Sequence, residues 1–267
     1  MIRVSILGAA GRMGKENIKT FSSTEDVEIV GAVEAPQSKS LGHDAGSVAG
    51  IEAIGIDITS NLREAVQKCD VCIDFTTPEA TMEMLKIANT YTKGVVIGTT
   101  GFTSGQIEII KKHAETIPIL LAPNMSQGVN ILTHLAGKAA ELLGDEYDVE
   151  ITEIHHNLKK DSPSGTALQF GEVIAQKRGT TLAHVGIFGR HGIIGARKRG
   201  EIGISSIRLS DVVGDHTVMF GGPGERIELT HKSTSRMNLA SGALRAARFI
   251  SGRQQGFFSM KDVLGIS

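Results

Sequence analysis

"RVSILGAAGRMG", Arg3 to Gly14, decides the fold. An apolar run the length of one buried strand passes without a linker into a turn of small residues, and the residues after the turn read as the start of a helix. Strand, small-residue turn and helix in that order open a dinucleotide-binding βαβ unit. There the small residues let the backbone approach a pyrophosphate, and the helix N-terminus stabilises its charge. The spacing is Gly8, Gly11, Gly14, with Ala10 where the strict G-x-G-x-x-G pattern has its second glycine. Glu34 supplies what this variant loop lacks alone. It ends the second predicted strand, 20 residues beyond Gly14, where a carboxylate accepts hydrogen bonds from an adenosine ribose.

Further along, apolar runs predict strands over 3–8, 27–34, 71–76, 94–100 and 117–123, and most of the intervals carry helical patterns. Thr77-Pro78-Glu79 reads as a cap, a proline in the first turn and an acid favoured by the helix dipole. Thr103 and Gln106 form a capping box ahead of "IEIIKKHAE". Strand and helix in alternation predict an α/β fold: a parallel sheet of Rossmann type with helices on both faces. The stretch from Pro36 to Asn61 is glycine-rich and irregular and receives no element. In such a sheet ligands collect beyond the carboxyl ends of the strands. "FTTP" (75–78), "GTTG" (98–101) and "APNMS" (122–126) therefore lie on one edge with the Gly8 loop, as a bound nicotinamide requires.

After about residue 126 the texture changes. "YDVEITEIHH", "EIGISSIRLSD", "HTVMFGG" and "GERIELTHK" are strand candidates, several alternating apolar with polar, and the helix "SGTALQFGEVIAQKRG" sits among them. They predict a second, α+β domain with a mostly antiparallel sheet that packs on its helices or on another subunit. The helical stretch 237–252 has a basic face and an apolar face that suit either domain.

The chain has 267 residues, enough for two modest domains, and its 28 Lys+Arg against 29 Asp+Glu leave no whole-chain footprint for nucleic acid. The first apolar run is too short for a signal-peptide core, and no stretch approaches the roughly 18 apolar residues of a membrane span, so a cytoplasmic protein is expected. Cys69 and Cys72 spell C-x-x-C. Read as extended residues they lie about 10 Å apart on opposite faces, which predicts two buried thiols rather than a disulfide or a metal pair.

The chemistry concentrates in "TEIHHNLKKDSPSGTA", Thr152 to Ala167. His155 and His156 follow one another at a strand end and point to opposite faces, so the pair does not chelate one ion, and no metal site is expected. Lys159 and Lys160 supply positive charge, and Ser164, Gly165 and Thr166 open a helix whose free N–H groups can hold an anion. An imidazole titrating near neutrality, an ammonium and an anion-binding helix start suit a small carboxylated substrate undergoing proton transfer. His43, His113, His134, His184, His191, His216 and His231 show no ligand spacing and read as surface or structural residues. The loop Arg190 to Gly203 reads equally as a basic, anion-attracting mouth or as a solvated connection. Phe257 and Phe258 read as a C-terminal anchor.

That cluster, together with "GAAGRMG", "DFTTPEAT", "GTTG", "APNMSQGVN", "RHG", "GEIGISSIRLSDVVGDHTVMF" and "GERIELTHKSTSR", resembles the 4-hydroxy-tetrahydrodipicolinate reductase (dihydrodipicolinate reductase) family of bacterial lysine and diaminopimelate synthesis, along almost the whole chain. The resemblance implies an NADH- or NADPH-dependent reductase donating a hydride to a cyclic dicarboxylate. It implies a dinucleotide-binding domain over 1–126, a substrate-binding and oligomerisation domain over 127–236, a C-terminal helix (237–267) returning to the first domain, and a homotetramer joined through the second-domain sheets. In family terms Gly8, Ala9, Ala10, Gly11, Arg12, Met13, Glu34, Gly98, Thr99, Thr100, Ala122, Pro123, Asn124 and Met125 contact the cofactor. His155 is the proton donor or acceptor and Lys159 a second donor. His156, Ser164, Gly165 and Thr166 hold substrate, with Thr100 near the junction. Two positions depart from the pattern. Ala35 stands where many members carry an arginine for the 2′-phosphate of NADPH, which predicts that NADH is used at least as well. Met125 stands where an aromatic is common, with packing against a nicotinamide ring as its expected role. The alternatives are a two-domain reductase with another substrate and a nucleotide sensor without turnover.

Overall fold

The computed structural model describes residues 1–266. The first half contains β1 (Ile2–Leu7), α1 (Arg12–Ser22), β2 (Val27–Val33), α2 (Ala45–Ala49), β3 (Ile58–Thr59), α3 (Leu62–Lys68), β4 (Val71–Asp74), α4 (Pro78–Thr90), β5 (Gly94–Ile97), α5 (Ser104–His113), β6 (Pro118–Leu121) and α6 (Gln127–Leu143). There follow β7 (Asp148–His155), α7 (Gly165–Lys177), α8 (Leu182–Val185), β8 (Gly186–Ile187), β9 (Ile202–Arg208), β10 (Gly214–Gly222), β11 (Glu225–Ser233), α9 (Met237–Ser251), β12 (Gly256–Phe258) and α10 (Met260–Leu264). They gather into two compact units, residues 1–127 with the stretch from Arg236 onward, and Gly128–Ser235.

The first unit holds a seven-stranded sheet in the order β12-β6-β5-β4-β1-β2-β3, every neighbouring pair parallel. Its inner strands are buried along their length because both faces are covered: all four residues of β4 and of β5 are buried. On one face Ile6, Ile73, Val96 and Leu120 pack with Ile18 and Phe21 of α1 and Ala243, Ala247 and Ile250 of α9. On the other, Leu7, Cys72, Val95 and Ile119 pack with Val66 of α3, Met84 and Leu85 of α4 and Ile110 of α5. The expected starts are in place: the Thr77 hydroxyl accepts from the Ala80 N–H, and Thr103 with Gln106 forms a reciprocal capping box.

Three expectations change. The irregular stretch 36–61 contains α2 and β3, held by the Asp44 carboxylate, which accepts from the N–H groups of Ser47, Ile54 and Gly55, and by pairing of β3 with β2. The two cysteines are fully buried thiols, as expected, but they do not lie on opposite faces, since their sulfurs are 3.6 Å apart. Cys69 closes α3 as its C-cap residue, so the chain turns into β4 and the extended-chain spacing does not apply. Phe257 and Phe258 anchor the C-terminal region as part of a strand, β12, paired with Ile119 and Leu120 of β6.

The second unit holds a five-stranded sheet, β11-β10-β7-β9-β8. Most of its paired residues are antiparallel, between β10 and its neighbours β11 and β7, and β7, β9 and β8 add a parallel part. The parallel pairing arises because α7 and α8 carry the chain back between β7 and β9. Val129, Leu132 and Ala136 of α6 and Phe170 and Ile174 of α7 cover Val149, Ile151, Ile204, Val218 and Phe220 on one face. On the other face the register aligns Ser205, Thr152, Thr217 and Thr230 in one row across β9, β7, β10 and β11.

His216 of β10 sits in the covered face with Val218 and Phe220. Its ring meets Phe170 and His155 edge-on at 5.7 and 5.2 Å, and its Nε2 shares a hydrogen bond with the Ser164 hydroxyl at 2.9 Å. Burial, with the neighbouring His155 adding to it, pushes its pKa down to about 4, against about 6.5 in an unfolded chain. Between those values the unfolded chain binds a proton that the folded protein excludes, so stability falls as pH falls from about 6.5 towards 4, by a total on the order of 3 kcal/mol. Urea unfolding midpoints measured at pH 7, 6 and 5 should therefore decline more steeply for the wild type than for His216→Gln; equal slopes would show that His216 is not the cause. A Cβ on Gly242 of α9 would stand 1.8 Å from the Met125 carbonyl oxygen, whereas one on Gly252 would meet nothing closer than 3.9 Å. Gly242→Ala should cost at least about 2 kcal/mol in the same assay and Gly252→Ala little.

Candidate functional site

At the carboxyl end of β1 the chain makes the glycine turn. Gly8 has φ +76°, which an L side chain rarely adopts, and a Cβ there would stand 2.7 Å from the Phe75 carbonyl oxygen. Gly14 packs the first turn of α1 on that loop, since a Cβ would fall 2.0 Å from the Gly8 carbonyl oxygen. The Gly8 and Ala9 N–H groups donate to the Val33 carbonyl, fixing the loop to β2. Gly11 is the extended N-cap of α1 and offers no side-chain cap, which leaves the helix start at the exposed Arg12 and half-buried Met13 suited to an external anion. Glu34 has two functions available to it: Oε1 accepts from the Ala10 N–H at 2.8 Å, tying the loop to the end of β2, and further lone pairs remain for hydroxyl donors. A dinucleotide pyrophosphate fits this cradle of small residues, uncapped helix and nearby carboxylate.

The turns after β4 and β5 are tied together by a buried carboxylate. Asp74 accepts from the Thr76 and Thr81 hydroxyls, each at 2.5 Å, and from the Thr99 hydroxyl at 3.2 Å, while the Thr76 N–H donates to Thr99 Oγ1 at 2.8 Å. Burial raises the Asp74 pKa, with the hydroxyl donors opposing it. Thr99 is buried by this network and leaves Thr100 exposed beyond it. After β6, Ala122 is buried, Pro123 exposed and Asn124 half-buried, with Asn124 Oδ1 accepting from the Ser126 N–H at 2.9 Å. Met125 is 1% exposed and belongs to the core, so the expected packing of its thioether against a nicotinamide ring has no exposed surface to use.

In the second unit the period of two along β7 places Glu153 and His155 on one face. Glu153 is fully buried, and the Arg208 guanidinium clasps it from β9, Nη1 to Oε2 at 2.8 Å and Nη2 to Oε1 at 2.9 Å. His155 Nδ1 donates to Oε2 at 2.6 Å, and the Ser164 N–H donates to Oε1 at 3.2 Å. Burial alone would raise the Glu153 pKa, but Arg208, His155 and Ser206 outweigh it and hold the carboxyl at about 2. Ser164 caps α7, accepting from the Ala167 N–H at 3.1 Å while its hydroxyl serves His216, so it is committed internally; Gly165 is exposed and Thr166 half-buried at the helix start. His156 lies just past the strand with a buried Nδ1 that has no partner among the described residues. Lys159 pairs with the exposed Asp161 at 2.8 and 2.9 Å, so part of the positive charge expected of the two lysines is met within the segment.

The arginine-rich loop is neutralised locally. Arg190 pairs with Glu150 and Glu201, Arg197 with Asp148 and Glu150, and Arg199 with Glu146. Among the described residues no group of three or more His, Cys, Asp or Glu is arranged to hold a metal ion, and no helix is long and apolar enough to cross a membrane. Sequence reasoning passed over Asp74, Glu153 and Arg208, and read His216 only as a surface or structural residue. A signal existed for two: Glu153 keeps step with His155, and His216 keeps step with Val218 and Phe220.

Residues 2–125 match the model of the dihydrodipicolinate reductase N-terminus and residues 128–264 that of its C-terminus. A 4-hydroxy-tetrahydrodipicolinate reductase of Aromatoleum aromaticum is 50% identical over 99% of this chain and 96% of its own, and one of Geobacter sp. strain M21 is 46% identical over the whole of both. Among solved structures, a dipicolinate-bound dihydrodipicolinate reductase from Paenisporosarcina sp. TG-14 superposes with a TM-score of 0.79 at 28% identity, over 98% of this chain and 99% of the other. An amine dehydrogenase from Mycobacterium smegmatis, at 15% identity, TM-score 0.58 and 97 and 95% coverage, shares the fold alone. Matched from end to end by two consecutive models and by relatives of nearly half its residues, the chain belongs to the dihydrodipicolinate reductase family.

Proposed function

We propose that this protein reduces 4-hydroxy-tetrahydrodipicolinate to tetrahydrodipicolinate with NADH or NADPH, in the synthesis of diaminopimelate and lysine. The observation that carries the reading is His155, an imidazole held on a buried, ionised carboxylate within the family's His-His-Lys segment. The unit of residues 1–127 with the C-terminal stretch carries the nucleotide, and residues 128–235 carry the substrate and the proton donors.

When bound, the reduced nicotinamide supplies the hydride. Gly8, Ala9, Ala10, Gly11, Arg12 and Met13 hold the pyrophosphate, with the start of α1 offsetting its charge. Glu34 orients the adenosine ribose, and Gly98, Thr99, Thr100, Ala122, Pro123, Asn124 and the Met125 backbone form the rest of the nucleotide edge. His156, Gly165 and Thr166 bind the substrate carboxylates, with Ser164 holding the helix start in place and Thr100 reaching the junction. The 4-hydroxyl leaves as water together with a neighbouring ring hydrogen, and the unsaturated ring that results takes up the hydride; the negative charge that builds on it is quenched by a proton from His155 or Lys159. Lys159 exchanges Asp161 for substrate, a switch between two carboxylates of similar chemistry. Ala35 offers no charge to a 2′-phosphate, so NADH serves at least as well as NADPH. The protein works in the cytoplasm as a homotetramer, joined through the open face of the five-stranded sheet, where the hydroxyl row lies.

Substrate formed in situ from pyruvate and aspartate semialdehyde by a synthase should support rapid, synthase-dependent oxidation of NADH. Folded protein that binds NADH yet oxidises neither cofactor would refute the assignment. His155→Ala and Lys159→Ala should each lower kcat by about 10²- to 10⁴-fold with NADH affinity unchanged. Ala35→Arg should lower KM for NADPH by about tenfold and leave that for NADH nearly constant; an unchanged ratio would place the discrimination elsewhere.

A further inference from the structure

The proposed proton transfer leaves open which nitrogen of His155 acts and what holds it there, and the second unit answers both. An ionised carboxylate only accepts hydrogen bonds, so the 2.6 Å contact to Glu153 Oε2 requires that Nδ1 carry a hydrogen. Glu153 stays ionised because the Arg208 fork and the Ser164 N–H fill its remaining positions in a fully buried site. Arg208 is itself anchored: Nη2 also donates to the Asp161 carbonyl oxygen at 2.7 Å. On the far side of the ring stands the first residue of β10, Gly214. A Cβ there would lie 3.0 Å from His155 Nε2 and 3.3 Å from Cδ2, tighter than side chains normally tolerate, so only glycine leaves the Nε2 edge clear.

We propose that Glu153, clamped by Arg208, is a positioning residue that fixes His155 with Nδ1 as a permanent donor and Nε2 as the reacting nitrogen, and that Gly214 keeps the approach to Nε2 open. The inference rests on the proposed function for its catalytic consequence, but not for its geometry. A carboxylate on Nδ1 holds the ring orientation and stabilises the imidazolium, so the same nitrogen gives and regains the proton. The charged and titratable groups beside His155 are Glu153 on its own strand, Arg208 from β9 and His216 from β10, and His216 in turn feels His231 of β11 and Lys159 of the segment leading to α7. His216, kept neutral by burial, bonds the Ser164 hydroxyl through Nε2 and does not compete for Glu153.

Two readouts separate this role from a merely structural one. In protein labelled with ¹⁵N at histidine and free of substrate, neutral His155 should show the Nδ1–H tautomer. A predominant Nε2–H tautomer would overturn the proposal whether or not the protein reduces the expected substrate. In turnover, Glu153→Gln should reduce kcat by about 10- to 100-fold, with substrate KM within about threefold. Glu153→Asp should recover part of that loss. Gly214→Ala should lower kcat by about tenfold or more while the Nδ1–H tautomer is retained. Folded Glu153→Gln with wild-type kcat would refute the positioning role, and wild-type turnover in Gly214→Ala would refute the open approach. If Glu153→Gln does not fold, the wild-type tautomer and Gly214→Ala still decide.

Discussion

A carboxylate taken out of water must be surrounded by donors, and this chain meets that constraint once in each unit. Asp74 and Glu153 are both fully buried, and in each case the groups that satisfy the carboxylate belong to the loops or strand ends that carry the ligand-binding candidates. The two solutions differ in charge. Asp74 is met by hydroxyls, which orient without neutralising, and its pKa rises. Glu153 is met by a guanidinium fork as well as by His155, and its pKa falls to about 2. The first arrangement suits a joint that only has to hold two turns in register. The second suits a residue that must keep its charge while the group beside it changes protonation.

The same contrast explains why the scaffold is so widely shared and the chemistry is not. A parallel sheet with ligand loops at one edge is set by strand length, crossovers and glycine placement, none of which specifies a reaction. In this chain the specific content sits in β7 and the segment that follows it. Glu153 and His155 are placed by the pleat of a single strand, and a capped helix start closes the segment at Ser164. Rigid elements therefore hold the His155 ring from two directions, and the residues between them carry His156, Lys159 and the Asp161 carbonyl that anchors Arg208.

Much of this was legible before any coordinates. The run from Arg3 to Gly14, the caps at Thr77 and Thr103 and the apolar strands depend on neighbours within a few residues, and local pattern reports such features well. The elements that escaped notice depend on distant partners. The helix at Ala45 and the strand at Ile58 exist because Asp44 reaches three backbone N–H groups up to 11 residues away. Arg208 meets Glu153 across 55 residues, and nothing in the alternation of β9 marks it out from any strand-end arginine. Strand orientation was equally hidden: alternation reveals that one face of a strand is wet, but not whether its neighbour runs up or down. The cysteine spacing failed for the opposite reason, since a rule for extended chain was applied where a helix ends.

The return of α9, β12 and α10 to the first unit has a temporal consequence. Residues 237–264 supply Ala243, Ala247, Ile250, Met260 and Val263 to its core and the seventh strand to its sheet, whereas Gly128–Ser235 form one uninterrupted stretch. During synthesis the second unit has all its parts while the first still lacks one flank of its sheet, exposing β6 as an unpaired edge and the apolar surface that α9 will cover. The domain begun first on the ribosome is thus the domain finished last, and in that interval it is the half of the protein most in need of protection from misassociation.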